Sequence, residues 1–253
     1  MTDHVKTSLD GHVLTLTLDR AEKKNALTEP MYGALADGIE RADADDNIRV
    51  VLFKSTSDAF TAGNDISSFA ATAAGEAPKG PRQVDRFLKA LARAETPLVA
   101  AVSGLAVGVG TTMLLHCDLV YMANHATLST PFIDLALVPE AASSITLPAA
   151  IGHVRAFEMF ALGKRVTAEE ALSWGLVNGT CDLADLDRTA TEAATALAQR
   201  APTAVKLSKQ LMRNPAALAA RMDEEGVHFG AQLKSEEAKE RFAAFAARSQ
   251  KRA

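Results

Sequence analysis

The chain has few cysteines: Cys117 and Cys181 are the only two among 253 residues. Cys117 follows an apolar run and Cys181 a polar turn, so two reduced thiols are predicted rather than a disulfide, as in a reducing compartment. Net charge is also small. Twenty-seven basic residues against 31 acidic ones leave −4, which gives no general pull toward nucleic acid or an acidic membrane surface, although a local basic patch for a phosphorylated ligand stays open. No run reaches the ~18–20 apolar residues of a spanning helix. Met1-Thr2-Asp3-His4-Val5-Lys6 lacks the apolar stretch of a secretory signal, and Ser249-Gln250-Lys251-Arg252-Ala253 carries no Ser-Lys-Leu-type address. The expectation is a cytoplasmic protein with no membrane or nucleic-acid partner. His116, His125 and His153 lack metal-ligand spacing, so no metal site is expected. No Gly-x-Ser-x-Gly elbow occurs, which weakens a serine hydrolase reading. Gly108-Val109-Gly110 lacks the third glycine of a dinucleotide loop, with Met113 in its place. No repeat of solenoid period is visible.

What is present reads as one sizeable globular domain. Hydrophobic residues make up 48% and charged residues 23%, enough for a full core. His12-Val13-Leu14-Thr15-Leu16-Thr17-Leu18 largely alternates and predicts a half-buried strand. Val50-Val51-Leu52-Phe53 and Leu98-Val99-Ala100-Ala101-Val102 are continuous apolar runs, expected as strands covered on both faces. Asp118-Leu119-Val120-Tyr121-Met122 reads as a further strand. Helices are predicted over 30–44, 83–94 and 110–116, and this alternation implies an α/β core with crossover connections. Helix candidates at 155–162, 168–174, 187–200, 204–212, 216–233 and 236–247 follow. The organisation is therefore predicted as an α/β core over 1–190 and a helical region over 191–253. The small-residue-rich segment 67–81, punctuated by Gly75 and Pro78, predicts a mobile loop.

Two glycine-punctuated turns and one acid carry the chemistry. Ala62-Gly63-Asn64-Asp65-Ile66 and Gly104-Leu105-Ala106-Val107-Gly108-Val109-Gly110 can each offer a bare backbone N–H to one oxygen. Glu140 opens a third loop, eight residues after Phe132, and a nearby carboxylate can move a proton. Each feature has an ordinary explanation when taken alone. The first turn suits positive φ and local side-chain bonding, and Glu140 suits a surface loop or a helix N-terminus. Only their combination points to making and quenching an enolate.

Four ordered motifs now carry a resemblance. They are Asp19-Arg20-Ala21-Glu22-Lys23-Lys24-Asn25-Ala26-Leu27-Thr28; Phe60-Thr61-Ala62-Gly63-Asn64-Asp65-Ile66; Val102-Ser103-Gly104 through Gly110 with Cys117-Asp118; and Thr167-Ala168-Glu169-Glu170-Ala171 with Trp174-Gly175-Leu176-Val177. Across nearly its full length the chain resembles the crotonase (enoyl-CoA hydratase/isomerase) superfamily. Ser129-Thr130-Pro131-Phe132 and Val138-Pro139-Glu140-Ala141-Ala142-Ser143-Ser144 are most similar to its peroxisomal-type Δ3,Δ2-enoyl-CoA isomerases. The resemblance implies a spiral of ββα repeats with a C-terminal helical region, a homotrimer or hexamer, and an acyl-CoA thioester as substrate with no further cofactor. It implies an oxyanion hole from the N–H groups of Asn64 and Val109, with Glu140 as acid–base. Hydratases of the family carry two glutamates where this chain has Thr112 and Phe132, so hydration through a glutamate pair is not expected.

The implied reaction moves a double bond from C3 to C2 through a dienolate, feeding unsaturated fatty acids into β-oxidation. Phe132, Leu135 and Leu137 are expected to exclude water and raise the Glu140 pKa. Lys24, Ala26, Ala62, Gly63, Asp65, Ile66, Gly108 and Phe132 are expected along the CoA and acyl path, with Lys24 facing phosphates, Asp65 forming the turn rather than acting as base, and segment 67–82 bordering the acyl tail. Asp134 is expected to be structural, and Phe242 and Phe245 to serve assembly. The alternatives are enoyl-CoA hydration, other enolate chemistry such as dienoyl isomerisation or thioester hydrolysis, and a non-catalytic CoA-ester-binding or RNA-associated relative.

Overall fold

The structure is a computed structural model that describes residues 2–65 and 82–250. In chain order the elements are β1 (Val5–Asp10), β2 (Val13–Leu18), α1 (Glu29–Ala44), β3 (Val50–Ser55), β4 (Ala59–Thr61), α2 (Gln83–Arg93), β5 (Leu98–Val102), β6 (Leu105–Val107) and α3 (Val109–Thr112). Then come β7 (Leu119–Ala123), β8 (Thr127–Ser129), α4 (Ser143–Ile151), α5 (His153–Leu162), β9 (Val166–Thr167), α6 (Ala168–Ser173) and β10 (Gly179–Cys181). Four helices close the chain: α7 (Leu183–Ala198), α8 (Pro202–Met212), α9 (Pro215–Leu233) and α10 (Glu236–Gln250).

The continuous apolar runs form the centre of a six-stranded sheet ordered β1-β2-β3-β5-β7-β10, parallel from β2 onward. Val51 lies opposite Leu98, and Val99 opposite Leu119. Every residue of β5 is buried, as expected of a strand covered on both faces. A second sheet, ordered β4-β6-β8-β9, is built from very short strands. Three successive pairs, β3/β4, β5/β6 and β7/β8, each put their first strand in the large sheet and their second in the small one. This is the ββα spiral implied by the sequence motifs.

Some local expectations are corrected. β2 is not half-buried: Leu14, Leu16 and Leu18 on one face and Val13 and Thr17 on the other are all buried. The reason is that helices α1 and α7 both pack on it. The helix expected over 110–116 is one α turn, α3, continued by a 3-10 turn over Met113–His116. The helix expected from 187 starts at Leu183, and it packs on β3, β5 and β7. The division expected at residue 190 thus falls inside α7, a helix of the sheet layer. β1, α4 and the small sheet were not anticipated.

α1 buries Met31, Tyr32, Leu35, Ala36 and Ile39, a three- and four-residue spacing that puts them on one face. Each large apolar side chain so buried contributes about 1.5–3 kcal/mol. A smaller cluster joins Phe132, Ala136 and Leu137 to Phe229 and Leu233 of α9 and to Ala238 and Phe242 of α10. The C-terminal helices thereby cover the segment leading to Glu140. Phe242, expected at an interface between copies, is buried inside its own chain.

Candidate active site

The first turn is anchored by a parallel bridge between Leu27 and Asn64. Leu27 N–H donates to Gly63 O at 2.7 Å, and Asp65 N–H donates to Leu27 O at 2.9 Å. Those bonds use the residues flanking Asn64, so the N–H of Asn64 itself faces away from Leu27. Gly63 is left-handed at φ 86, and a Cβ there would sit 2.6 Å from Val107 O. The two turns therefore touch, backbone to backbone, at this glycine.

The second turn pivots on Gly108, at φ 56 and ψ −119, a conformation open to glycine. Gly108 N–H donates to Ser129 O at 2.9 Å, and its carbonyl accepts from Thr111 and Thr112. Val109 opens α3, so its N–H has no carbonyl one turn earlier to meet. Its side chain is 1% exposed and seats the turn in the core.

The same short helix ends on the acid. Thr112 Oγ1 donates to Glu140 Oε1 at 2.6 Å. Glu140, Ala141 and Asn64 line one pocket of about 320 Å³, with Val84 and Leu88 of α2 and Met222 and Phe229 of α9 among the other walls. Burial pushes the Glu140 carboxyl up to about 7; the Thr112 hydroxyl opposes the rise and the nearby Glu225 charge adds to it. A carboxyl poised near neutrality can both take and return a proton. Asn64 lines the same pocket; Val109 is not among its walls, and is linked to the acid through Thr112 at the other end of α3.

The other expected residues fall around this centre. Lys24 is exposed and left-handed, and its carbonyl accepts Ala62 N–H at 2.8 Å. The carbonyl of Ala26 accepts from Arg20 Nη1 at 2.8 Å. Asp65 pairs with Arg20 at 2.7 Å, which ties the turn to the loop holding Lys24. Phe132 is buried against Phe160 and approaches the Gly108 turn, 3.9 Å from where a Cβ on that glycine would lie. Asp134 reaches toward the left-handed Gly163 that ends α5. Ile66 and segment 67–81 lie outside the described residues. Among the described residues, no group of His, Cys, Asp and Glu is arranged to hold a metal ion, and no helix is long and apolar enough to cross a membrane.

From the sequence, Tyr32 and Glu225 have no expected role, Asn25 is expected along the CoA path and His116 as a structural or surface residue. Tyr32, fully buried in α1, donates to Asn64 Oδ1 at 2.6 Å. Burial, and then the Glu140 charge, hold its phenol protonated well above the ordinary range. Asn25 is 0% exposed; its Nδ2 donates to Ser55 Oγ and Ala59 O, and its Oδ1 accepts Arg20 N–H. It fastens the loop of the first motif to the end of β3. Glu225 and His116 meet the turn after Glu140. Tyr32 gave no signal beyond a helix pattern, whereas Glu225 did, as an acid on an apolar stripe.

The comparisons give the family and the fold. A family model described as Enoyl-CoA hydratase/isomerase matches residues 9–252. Enoyl-CoA delta isomerase 2 of Rattus norvegicus is 34% identical over 207 residues, which are 81% of this chain and 53% of that relative, so the chain spans about half its length. Carnitinyl-CoA dehydratase of Salmonella arizonae is 33% identical over 97% of this chain and 96% of that relative. The crystal structure of an enoyl-CoA hydratase/isomerase from Pseudoalteromonas atlantica T6c matches with a TM-score of 0.92 at 45% identity, covering 97% of this chain and 98% of that one.

Proposed function

The chain belongs to the enoyl-CoA hydratase/isomerase family, and from that premise we propose that it is a Δ3,Δ2-enoyl-CoA isomerase acting on acyl-CoA thioesters in fatty-acid β-oxidation. One observation carries the proposal: of the three carboxyls that the described residues place on the pocket lined by Asn64, Asp85 and Asp223 are exposed, and Glu140 alone is withdrawn from solvent and pushed up to about 7 by burial. By the resemblance, Thr112 and Phe132 stand where the hydratases of the family carry their glutamates. A phenylalanine cannot transfer a proton, and the Thr112 hydroxyl is engaged in donating to Glu140.

In this reading the thioester oxygen of a 3-enoyl-CoA accepts from the N–H groups of Asn64 and Val109. Ionised Glu140 removes a proton from C2, and the negative charge of the dienolate moves onto the thioester oxygen. The protonated Glu140 then delivers the same proton to C4, leaving the double bond between C2 and C3. No water enters and the mass does not change. Val84, Leu88, Met222 and Phe229 supply apolar wall to the pocket, while Arg82, Asp85, Lys89 and Asp223 give it a charged rim; Phe132, Leu135 and Leu137, expected to exclude water from Glu140, are not among its walls. Lys24 is a flexible point charge for CoA phosphates, and Ala26, Ala62, Gly63 and Asp65 border the path. CoA enters as part of the substrate, so no separate cofactor is needed. The protein works as a homotrimer or hexamer in the cytoplasm. An apolar groove away from Glu140, lined by Leu119, Ile145, Ala204, Met212 and Leu218, supports an assembly of copies.

The test is to mix purified protein with a trans-3-enoyl-CoA and follow the conjugated 2-enoyl product by absorbance and mass spectrometry, with Glu140→Gln alongside. Conversion without mass change, lost in the variant, is the expected result. Gain of one water would move the assignment to hydration, and measurable binding without turnover would favour a CoA-ester-binding protein.

A further inference from the structure

An acid occupies a core position of α9. Leu218, Met222, Phe229 and Leu233 recur at the spacing of a buried stripe, and Glu225 falls on the same stripe. An unbonded carboxylate there would cost several kcal/mol. Glu225 is 6% exposed and is bonded: it accepts Ala142 N–H at 2.6 Å and Ser144 N–H at 3.0 Å. Those groups belong to the turn directly after Glu140. Ala141 and Ala142 are both left-handed there, at φ 61 and φ 56, which for alanine costs roughly 1–2 kcal/mol each. Ala142 precedes α4 and has no side-chain oxygen to cap it, so the cap comes from a residue far along the chain.

We propose that Glu225 is a positioning residue for Glu140, its buried carboxylate clamping the left-handed turn that aims the Glu140 carboxyl at the pocket. A second brace completes the clamp. Ala141 O accepts from His116 Nε2 at 2.8 Å, while His116 Nδ1 accepts from Arg213 Nη2 at 2.8 Å, an arrangement that places the ring proton on Nε2. Burial, then the Arg213 charge, lower the His116 pKa to about 4, so the brace is neutral and constant across the neutral range. The groups facing Glu225 are Glu140 in the turn and Arg221 on its own helix. Those facing Glu140 are Thr112 of α3 and Tyr32 of α1, with Arg82, Asp85 and Lys89 before and along α2 and Asp223 of α9 across the pocket. The Glu225 charge also raises the Glu140 pKa, second to desolvation. The clamp thus acts on both the direction and the proton affinity of the acid.

This proposal rests on the reading of Glu140 as the acid–base, and its test separates the two. Glu225→Gln in the full-length protein keeps the side-chain length but removes the charge and one acceptor. The Glu140 carboxyl is titrated by carbon-13 NMR without substrate, its signal identified by its loss in Glu140→Gln. The expected result is a Glu140 midpoint lower by about one pH unit and a kcat lower by about ten- to a hundredfold with KM little changed. A folded Glu225→Gln protein with the wild-type midpoint and kcat overturns the clamp. An inactive wild type whose Glu140 titrates in the ordinary carboxylate range overturns the acid–base reading instead. If Glu225→Gln does not fold, Glu225→Asp, which keeps the charge but shortens the reach, carries the test: a lower kcat at unchanged KM is expected, and a wild-type kcat overturns the proposal.

Discussion

The two halves of the pocket reach left-handed backbone by opposite means. On the donor side the residues are Gly63 and Gly108; on the acid side they are Ala141 and Ala142. Glycine is compulsory in the first case. A Cβ on Gly63 would press on Val107 O at 2.6 Å, and neither atom belongs to a flexible side chain. Gly108 combines φ 56 with ψ −119, outside the left-handed helical well that an alanine can occupy. Ala142, at φ 56 and ψ 15, lies at the edge of that well. Its modest strain is held down by bonds from α9 and, through Ala141, from His116. The two glycine turns are therefore shaped by local sequence, whereas the turn after Glu140 is held by distant side chains.

The largest expected effect tests the acid side. Glu140→Gln should lower kcat by about a hundred- to ten-thousandfold with acyl-CoA affinity nearly intact, read by turnover and calorimetry. In the wild type, kcat/KM should rise as pH climbs through about 7, where Glu140 ionises. Next, Gly63→Ala attacks the donor side. It should lower kcat/KM by about a hundredfold or more through the misplaced Asn64 N–H, and lower stability by about 1–3 kcal/mol, read by denaturant midpoints.

A third effect distinguishes the halves by pH. The folded Glu140 pKa lies near 7, above its ordinary 4.5, so the fold favours the protonated acid. Below about 4.5 the group is protonated in both states and contributes nothing. As pH rises toward 7 the unfolded chain ionises first and stability falls. Above 7 the full penalty of about 3–4 kcal/mol is present. Glu140→Gln should accordingly stabilise the protein at about pH 8 and leave it unchanged at about pH 4, as seen in paired urea titrations, while Gly63→Ala should be equally destabilising at both. Tyr32→Phe comes next: losing the bond to Asn64 should cost about 1 kcal/mol of transition-state stabilisation, near a fivefold fall in kcat/KM. The smallest effect is expected for Ala142→Gly. Relief of the left-handed strain and added freedom in the unfolded chain nearly cancel, leaving stability within about 0.5 kcal/mol. A loss as large as that of Gly63→Ala would erase the contrast between the two turns.

Much of this architecture is legible in the sequence. The apolar runs at β3, β5 and β7 became the core of the large sheet, since a strand buried on both faces needs apolar residues at every position. β1 was missed because Val5 is its only buried residue, and the small sheet because two- and three-residue strands carry no measurable period. Leu16 and Val13 of β2 show the same limit differently: alternation predicts which residues share a face, but whether the second face is covered depends on the helices that pack on the sheet.

By itself, then, the sequence determined the α/β class, the glycine turns at Gly63 and Gly108 and the presence of an acid at Glu140, because periodicity and φ preference are local properties. Tertiary structure alone decided that Tyr32 meets Asn64 across 32 positions, that Thr112 meets Glu140 across 28, and that Glu225 meets Ala142 across 83. Those bonds, with the desolvation that lifts Glu140 toward neutrality, depend on which elements the fold packs together, and no local pattern encodes that.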